Sequence, residues 1–532
     1  MANTQFDYII VGAGSAGCVL AHRLSENKSV SVCILEAGPH DKSWQIHVPL
    51  GVIWGMMNGK INWKFNSQPQ ENAGGRQIYM PRGMTLGGSS SINGMVYIRG
   101  NPADYDEWAE AGNPGWSWAD VKPYFLKSEN NEQFVGDSHH GSGGPLNVTF
   151  ISDPSPVNDT FIAAAESLQH RHNTDFNGET EEGFGIHQVT QKCGRRWSSA
   201  SAFLDTARSR KNLTILTGAV AERAILDNGR ATGVELADGR VIVARREVIL
   251  SAGAIVSPKI LLQSGIGDGT ELQSFGIEPR HQLPGVGRNL QDHASIHAMV
   301  RTKSHVPVGF SISALPKLTW SVIDYALRRR GLWSSNMVEA GGFARTRPDV
   351  DRPDVQYVLM PGYRARPPRV IAYGHGYALT TVLLRPKSRG SVRLEKTDAG
   401  FAPLIHPRFF SEVEDLETLL LGFKEALRIL EAEPFQKYGP IDYQPPSNSS
   451  DEELRQYILE NSATIFHPVG TCKMGPNGDS DAVVDARLRV KGIEGLRVAD
   501  ASIMPTICGG NTNAPSIMIG EKASDLIKED AR

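Results

Sequence analysis

Residues 6–38, FDYIIVGAGSAGCVLAHRLSENKSVSVCILEAG, leave this chain little freedom in its first folding unit. The run YIIV at 8–11 has no polar alternation and stops at glycine, which predicts a buried parallel strand. Gly12, Gly14 and Gly17, with Ser15 and Ala16 between them, space a G-x-G-x-x-G turn. Missing side chains there permit a tight bend, let backbone amides approach a pyrophosphate, and let the next helix pack close to the strand. That helix sets Ala16, Val19, Leu20 and Leu24 at helical spacing, and its N-terminus offers free N–H groups and a positive dipole end to a phosphate. A second strand over 30–35 leads into Glu36 and Ala37. A carboxylate about twenty residues beyond the glycines suits the two hydroxyls of an adenosine ribose and repels a 2′-phosphate. Together these features predict a dinucleotide-binding βαβ unit, and they leave NAD and FAD both open.

That unit is a small part of 532 residues, and a chain of this length divides into two or more domains. A formal net charge of −3 gives no global attraction to nucleic acid or anionic lipid, so no nucleic-acid partner is expected. Cys18, Cys33, Cys193, Cys472 and Cys508 are scattered, odd in number and free of a C-x-x-C pair. The expectation is therefore no disulfide framework, no metal site and a reducing, cytoplasmic compartment. The apolar start is not read as a secretory signal, because Asp7 precedes it and no basic segment does. No run reaches the roughly 18 apolar residues of a membrane span.

Further along, 51–65 (GVIWGMMNGKINWKF) has no clear period and reads as a long ordered loop, either a lid or a core-crossing connection. Residues 82–100, RGMTLGGSSSINGMVYIRG, hold Gly87 and Gly88 beside three serines, with Asn93-Gly94 as a polar turn. This is a second place where backbone can touch a flat or phosphorylated ligand. Ser198 is placed to cap a helix carrying Ala202, Phe203 and Leu204, just after Arg195-Arg196. Strand-like runs return at 213–216, 231–236 and 241–243, the last two joined by an Asp238-Gly239 hairpin turn. Residues 247–267 predict a strand, a Gly-Ala turn and a helix opened near Ser257-Pro258, and 285–293 (GVGRNLQDH) add another glycine turn ending in polar residues. From 299 to 459 the pattern becomes β-rich at 353–360, 377–384 and 391–394, with a helix at 412–431 whose leucines share one face. The final residues return to the first style, with a short strand at 496–500, the polar turn GGNTNAP and a helix at 514–527.

With these stretches in view, the chain resembles the glucose–methanol–choline (GMC) family of FAD-dependent oxidoreductases from end to end. The resemblance is carried by residues 83–106, by GAIVSPKILLQSGIG at 253–267, by ATIFHPVGTCKMG, and by VADASIMP followed by NTNAP. Met84 departs from the Lys, Arg or Asn usual in the family, which puts one polar contact near the flavin in doubt. The resemblance implies an α/β architecture, α+β overall. A discontinuous Rossmann-like FAD-binding domain (1–145, 212–298 and 460–532) would stand beside an antiparallel-sheet substrate domain (146–211 and 299–459). It implies that Gly12, Gly14, Ser15, Ala16, Gly17, Glu36 and Ala37 hold the ADP half of FAD. Thr85, Gly87, Gly88, Asn93, Gly94, Met95 and Val96 would line isoalloxazine and pyrophosphate, Val220 the adenine, and Asp500, Ala501, Asn511 and Thr512 the ribityl and flavin side. In relatives with covalent flavin a histidine precedes the signature asparagine; Ile92 stands there, so FAD is expected to be noncovalent.

Alcohol oxidation needs a base for the hydroxyl proton and a hydride acceptor facing the α-carbon. His467 resembles the family's base, Asn511 its partner at the alcohol oxygen, and Phe466 belongs with both at the substrate. Within the family the chain looks most like bacterial primary alcohol dehydrogenases that pass electrons to a quinone or artificial dye. Choline or sorbose/polyol oxidation is the alternative, and an FAD-containing hydroxynitrile lyase is the alternative of another class. Glu339 stands where choline-oxidising relatives carry an acid, yet it does not discriminate, because alcohol dehydrogenases look similar there. The aromatic and basic stretch 318–333 carries a further expectation of peripheral contact with the inner membrane, weighed against a plain solvated basic face. The alcohol's chain length, the choice between oxygen and quinone, and the oligomeric state stay open.

Overall fold

A computed structural model describes residues 4–363, 373–398 and 400–531. Strand β1 (Gln5–Val11) is buried from Phe6 onward and leads through the glycine turn into helix α1 (Ser15–Leu24). β1 pairs in parallel with β2 (Val32–Glu36), which pairs in parallel with β3 (Leu213–Thr217). On its other side lies an antiparallel run of β4 (Ala221–Asp227), β5 (Arg230–Leu236) and β6 (Val241–Leu250). β6 serves two partners: its first residues pair antiparallel with β5, while its length runs parallel to β1 and its end runs parallel to β7 (Leu496–Val498). The sheet order is β3-β2-β1-β6-β5-β4, with β7 beside β6. A strand from near the C-terminus thus completes a sheet begun at the N-terminus.

Helix α2 spans Gly253–Gln263, opening earlier than the Ser257-Pro258 start predicted from sequence, so that Pro258 lies inside it. Proline cannot supply the N–H that the carbonyl of Ala254 would receive in a regular helix. The Thr471 hydroxyl donates to that carbonyl instead, at 2.6 Å, which removes the penalty that made proline look like a boundary.

A second sheet is antiparallel throughout. Its order is Pro440–Gln444, Ala294–Thr302, Gly374–Leu383, Val355–Met360, Ala340–Ala344 and Gly183–Ile186. The expected division between 298 and 299 falls inside the strand Ala294–Thr302. Helix α3 (Leu315–Arg328) is anchored by its buried Tyr325, whose hydroxyl donates to Gly194 O at 3.1 Å, and α4 (Val413–Glu431) lays Leu419, Phe423, Leu427 and Leu430 on a core shared with Ile296, Val300, Tyr357 and Leu379. The closing helix α5 (Asn513–Asp530) returns to the first sheet and packs on α1, where a Cβ on Gly520 would sit 2.8 Å from the carbonyl oxygen of Ala16.

Candidate active site

The registers Val11↔Leu35, Val11↔Leu250 and Leu250↔Val498 align the C-terminal ends of β1, β2, β6 and β7 on one edge of the sheet. In open parallel sheets that edge is where ligands bind, because helix N-termini and loop amides converge there. Gly12, Gly14, Glu36, Ala37 and Asp500 all lie at or just beyond it. The buried Glu36 carboxylate accepts from the amides of Ala13 (3.0 Å) and Gly38 (2.9 Å), and burial lifts its pKa to about 7. Val220 is brought alongside, since the Ala219 amide donates to the Glu36 carbonyl (2.9 Å), and its side chain is exposed. Asp500 accepts from Gly253 N (2.8 Å), Ser257 Oγ (2.6 Å) and Ser502 N (2.8 Å), which holds the start of α2 to the end of β7.

The second glycine stretch lies directly on the first. Gly87 N donates to the Ala13 carbonyl at 2.8 Å, and a Cβ on Gly88 would sit 2.7 Å from the Cα of Gly14. The Thr85 hydroxyl donates to Pro39 O at 2.9 Å, so 84–88 crosses the ends of both β1 and β2. Beyond it Asn93 Oδ1 accepts from the Met95 amide at 3.0 Å, Met95 has a φ of 61°, and Val96 is buried. The C-terminal turn closes the same space from the other side: Ser15 Oγ donates to Asn513 Oδ1 at 2.7 Å, with Thr512 at the N-cap of α5.

Arg196 organises this loop, although the sequence showed it only as half of a basic pair. It is buried without an acidic partner and donates to Ile46 O (2.8 Å), Ser90 O (3.0 Å), Asn93 Oδ1 (2.7 Å) and Asn93 O (2.7 Å). Burial alone draws its pKa down to about 9. Arg196→Met should therefore strand several buried acceptors and cost about 2–4 kcal/mol, read as a lower urea midpoint with unchanged slope. A midpoint equal to that of the parent protein would mean that the turn holds itself.

His467 and Asn511, distant in sequence, face one another with Nε2 of the imidazole 3.4 Å from the amide Nδ2. Asn511 Oδ1 accepts from Gln356 Nε2 at 3.3 Å, which turns the NH2 group towards His467. On the other side His467 Nδ1 lies 3.0 Å from Nδ1 of the buried His293, whose Nε2 is 3.1 Å from the Leu384 carbonyl. A carbonyl only accepts, so Nε2 of His293 carries its proton and donates there. Burial keeps His293 neutral, its pKa lowered to about 3, which makes its Nδ1 the acceptor. His467 must then donate from Nδ1, leaving the lone pair of Nε2 beside Asn511. Burial, followed by the neighbouring His293 and Arg82, holds His467 well below the ordinary histidine value.

Asp292 fixes the segment from below. Its carboxylate accepts from His467 N (2.8 Å), His293 N (2.9 Å) and Thr464 Oγ1 (2.6 Å), and burial raises its pKa to about 6. Phe466 is half-buried at φ 72°, its carbonyl accepting from Arg82, and Gly470 N donates to Ala501 O at 3.2 Å. Sequence reading missed Arg82, His293, Asp292 and Gln356 as parts of this site. The signal within reach was the polar QDH that ends 285–293 immediately before a buried strand. Glu339, by contrast, is occupied elsewhere: it is buried and accepts from Ser155 N (2.7 Å), Asn158 Nδ2 (2.6 Å) and Ser335 Oγ (2.5 Å).

Residues 6–295 and 386–520 match the two family models described as GMC oxidoreductase. The chain belongs to the GMC oxidoreductase family. It is 43% identical over 529 residues to an alcohol dehydrogenase [acceptor] of Pseudomonas putida, covering 98% of this chain and 96% of that protein. It is 41% identical over 530 residues to an oxygen-dependent choline dehydrogenase of Rhizobium johnstonii, covering 98% and 95%. A solved formate oxidase of Aspergillus oryzae, titled for modification of its FAD, superposes with a TM-score of 0.90 at 28% identity over 99% of this chain and 98% of that one. FAD is the GMC cofactor, and the residues here fit it: a cradle in which Gly12, Gly17 and Gly88 have no room for a methyl group, a buried acid at the end of β2 in Glu36, and Ile92 buried against Ile46 and Ile61. No helix among the described residues is long and apolar enough to cross a membrane.

Proposed function

We propose that this GMC oxidoreductase oxidises a neutral primary alcohol to the aldehyde, with His467 as base, Asn511 as the hydrogen-bond donor to the alcohol oxygen, and the cradle residues named above holding FAD noncovalently. The observation that carries this reading is the placement of His467 between His293, 3.0 Å from its Nδ1, and the Asn511 amide, 3.4 Å from its Nε2. Bound FAD supplies the acceptor for the hydride that leaves the α-carbon. His467 Nε2 takes the hydroxyl proton, and an imidazole held neutral is ready to receive it. Asn511 donates to the oxygen as negative charge grows on it, an interaction stronger in the transition state than in the resting complex. His293 acts as a positioning residue, keeping the proton of His467 on Nδ1. The N-terminal end of α5, beside Asn511 and Thr512, adds a positive dipole end where electron density accumulates.

A neutral substrate is supported by an apolar cluster that reaches the pair's neighbours, Leu384 through its carbonyl at His293 and Ile98 against Gly510. Val96, Ile98, Phe176, Phe343 and Leu384 form an apolar cluster with Val338 packed on it. Glu339, the acid that could offset a quaternary ammonium, already accepts three hydrogen bonds. The two-domain division and the roles of Phe466 and Ala501 belong to the same proposal.

Anaerobic mixing with a panel of straight-chain alcohols, choline and a polyol tests it. The expected result is bleaching of flavin absorbance, fastest with a neutral primary alcohol. A flavin that stays oxidised with every alcohol favours the lyase reading, and fastest bleaching by choline overturns the neutral-substrate reading. The pH dependence follows with its sign. Because the folded-state pKa of His467 lies below 6.5, the active neutral base persists as pH falls through 6.5. A plot of log kcat/KM should stay flat through that value and bend down only in more acidic solution. Asp292 titrates near 6, so Asp292→Asn shows which bend belongs to it. A bend above 6.5 that vanishes in His467→Gln would contradict the burial argument.

A further inference from the structure

Helix α3 presents its apolar side to solvent. Only Tyr325 is buried, whereas Leu315, Trp320, Val322, Ile323 and Leu327 are exposed, Trp320 to 61% and Leu327 to 76%. At its C-terminal end stand Arg328, Arg329 and Arg330, with Lys317 in the first turn and Asp324 as the single acid, already paired with Arg328 at 3.5 Å. The face continues past the helix. Trp333 donates from Nε1 to Ser321 Oγ at 3.2 Å and stacks on Trp54, centroids 5.9 Å apart and planes 5° from parallel; Trp54 in turn meets Trp44 at 5.7 Å. Trp44, Trp54 and Met57 are themselves exposed. A shell of tryptophan around aliphatic side chains, bounded by arginine, is the composition that settles at a membrane–water interface.

We propose that α3 and the Trp44/Trp54/Trp333 cluster form a docking face for an anionic lipid bilayer. The aliphatic residues enter the acyl boundary, the indoles lie at headgroup depth, and the arginines meet lipid phosphates. Charge selects lipid over a second copy of this chain. Pairing α3 with its own copy sets Arg328–Arg330 against either the same arginines or Lys317, and Asp324 is the only acid on the helix to relieve that repulsion. The face also joins the candidate active site. Two residues past the Trp333 turn Asn336 Nδ2 donates to Gly94 O at 2.6 Å, and Val338 Cγ2 would lie 3.1 Å from a Cβ on Gly94. A lipid-soluble alcohol or electron acceptor is thereby offered to the loop that carries Asn93 and Met95.

Co-sedimentation of the holoenzyme with extruded vesicles tests this, using phosphatidylcholine alone and phosphatidylcholine mixed with phosphatidylglycerol. Binding to the mixed vesicles should be about a hundredfold tighter and should weaken with salt, from three arginines acting near the surface. The triple variant Arg328→Gln/Arg329→Gln/Arg330→Gln should lose that preference. Trp320→Ser/Leu327→Ser should lose binding to both vesicle types, with dye-linked activity and thermal midpoint unchanged because neither residue touches the site. Equal partitioning of parent and variants overturns the proposal. So does a parent protein that sediments alone as a dimer and becomes a monomer in Trp320→Ser/Leu327→Ser, since the face then belongs to self-association. Dye-linked alcohol oxidation reports separately on the active-site reading, so the two fail independently.

Discussion

His467→Ala should yield a yellow protein that alcohol no longer bleaches. The cradle for FAD draws no hydrogen bond from the His467 side chain, whose ring nitrogens face His293 and Asn511. Flavin content after desalting should therefore match the parent, and the loss should appear wholly in the rate of anaerobic reduction. General-base catalysis contributes about 10²–10⁴-fold, and the alanine also removes the wall against which the hydroxyl is oriented, so a fall at the upper end of that range is expected. Stopped-flow absorbance under nitrogen, at saturating alcohol, measures it directly. Since the lost step is removal of the hydroxyl proton, part of the rate should return as pH rises and more of the alcohol ionises without help. Reduction at the parent rate would remove His467 from the mechanism and move attention to His293, the other imidazole within reach of the same space.

The contrast between the two halves of the site shows what sequence can reveal. The cradle was legible because its requirements are local: a strand that ends at Val11, glycines within one turn, and an acid at the end of the next strand stay close in the chain and in space. The hydrogen-bond relay behind His467 was not. Arg82, the adjacent Asp292 and His293, and Gln356 come from three separate parts of the chain, and each looks like an ordinary polar residue until the antiparallel sheet sets Ala294–Thr302 beside Gly374–Leu383 and brings the Leu384 carbonyl to His293. Pro258 misled for a related reason, since its missing partner is supplied by Thr471, far along the chain. The stretch 51–65 had no readable period because it passes from a short helical turn at Val52–Gly55 through irregular turns to a strand at Phe65–Asn66, its residues divided between core and surface: Ile61 packs with Ile46 and Ile92, while Trp54 and Met57 face outward. The stretch 318–333 was legible as aromatic and basic; that it forms a helix whose apolar residues face outward is a tertiary fact.

The cradle itself admits a sharper test than removal of any contact. A Cβ at Gly17 would fall inside the van der Waals envelope of the Gly12 carbonyl oxygen and 3.1 Å from its carbon. Both atoms are backbone, so no rotamer change relieves the clash. Helix α1 cannot retreat either, because α5 presses on it from behind, with Gly520 against the Ala16 carbonyl. The remaining relief is to open the 12–17 turn, which carries away the amides and the helix N-terminus that would face the pyrophosphate in the proposed site. Gly17→Ala should therefore lose both stability, by about 1–3 kcal/mol or more, and colour, with bound flavin falling at least tenfold. Gly14→Ala separates these two losses. The nearest atom to its Cβ is Ser251 O at 3.8 Å, and its φ of −78° is open to any residue. That protein should fold with the parent's urea midpoint, so any loss of flavin from it reports the close approach of cofactor to backbone. Should Gly17→Ala emerge yellow, with the parent's midpoint, the turn has slack that these distances deny and the packing of α1 against β1 does not set the cofactor site.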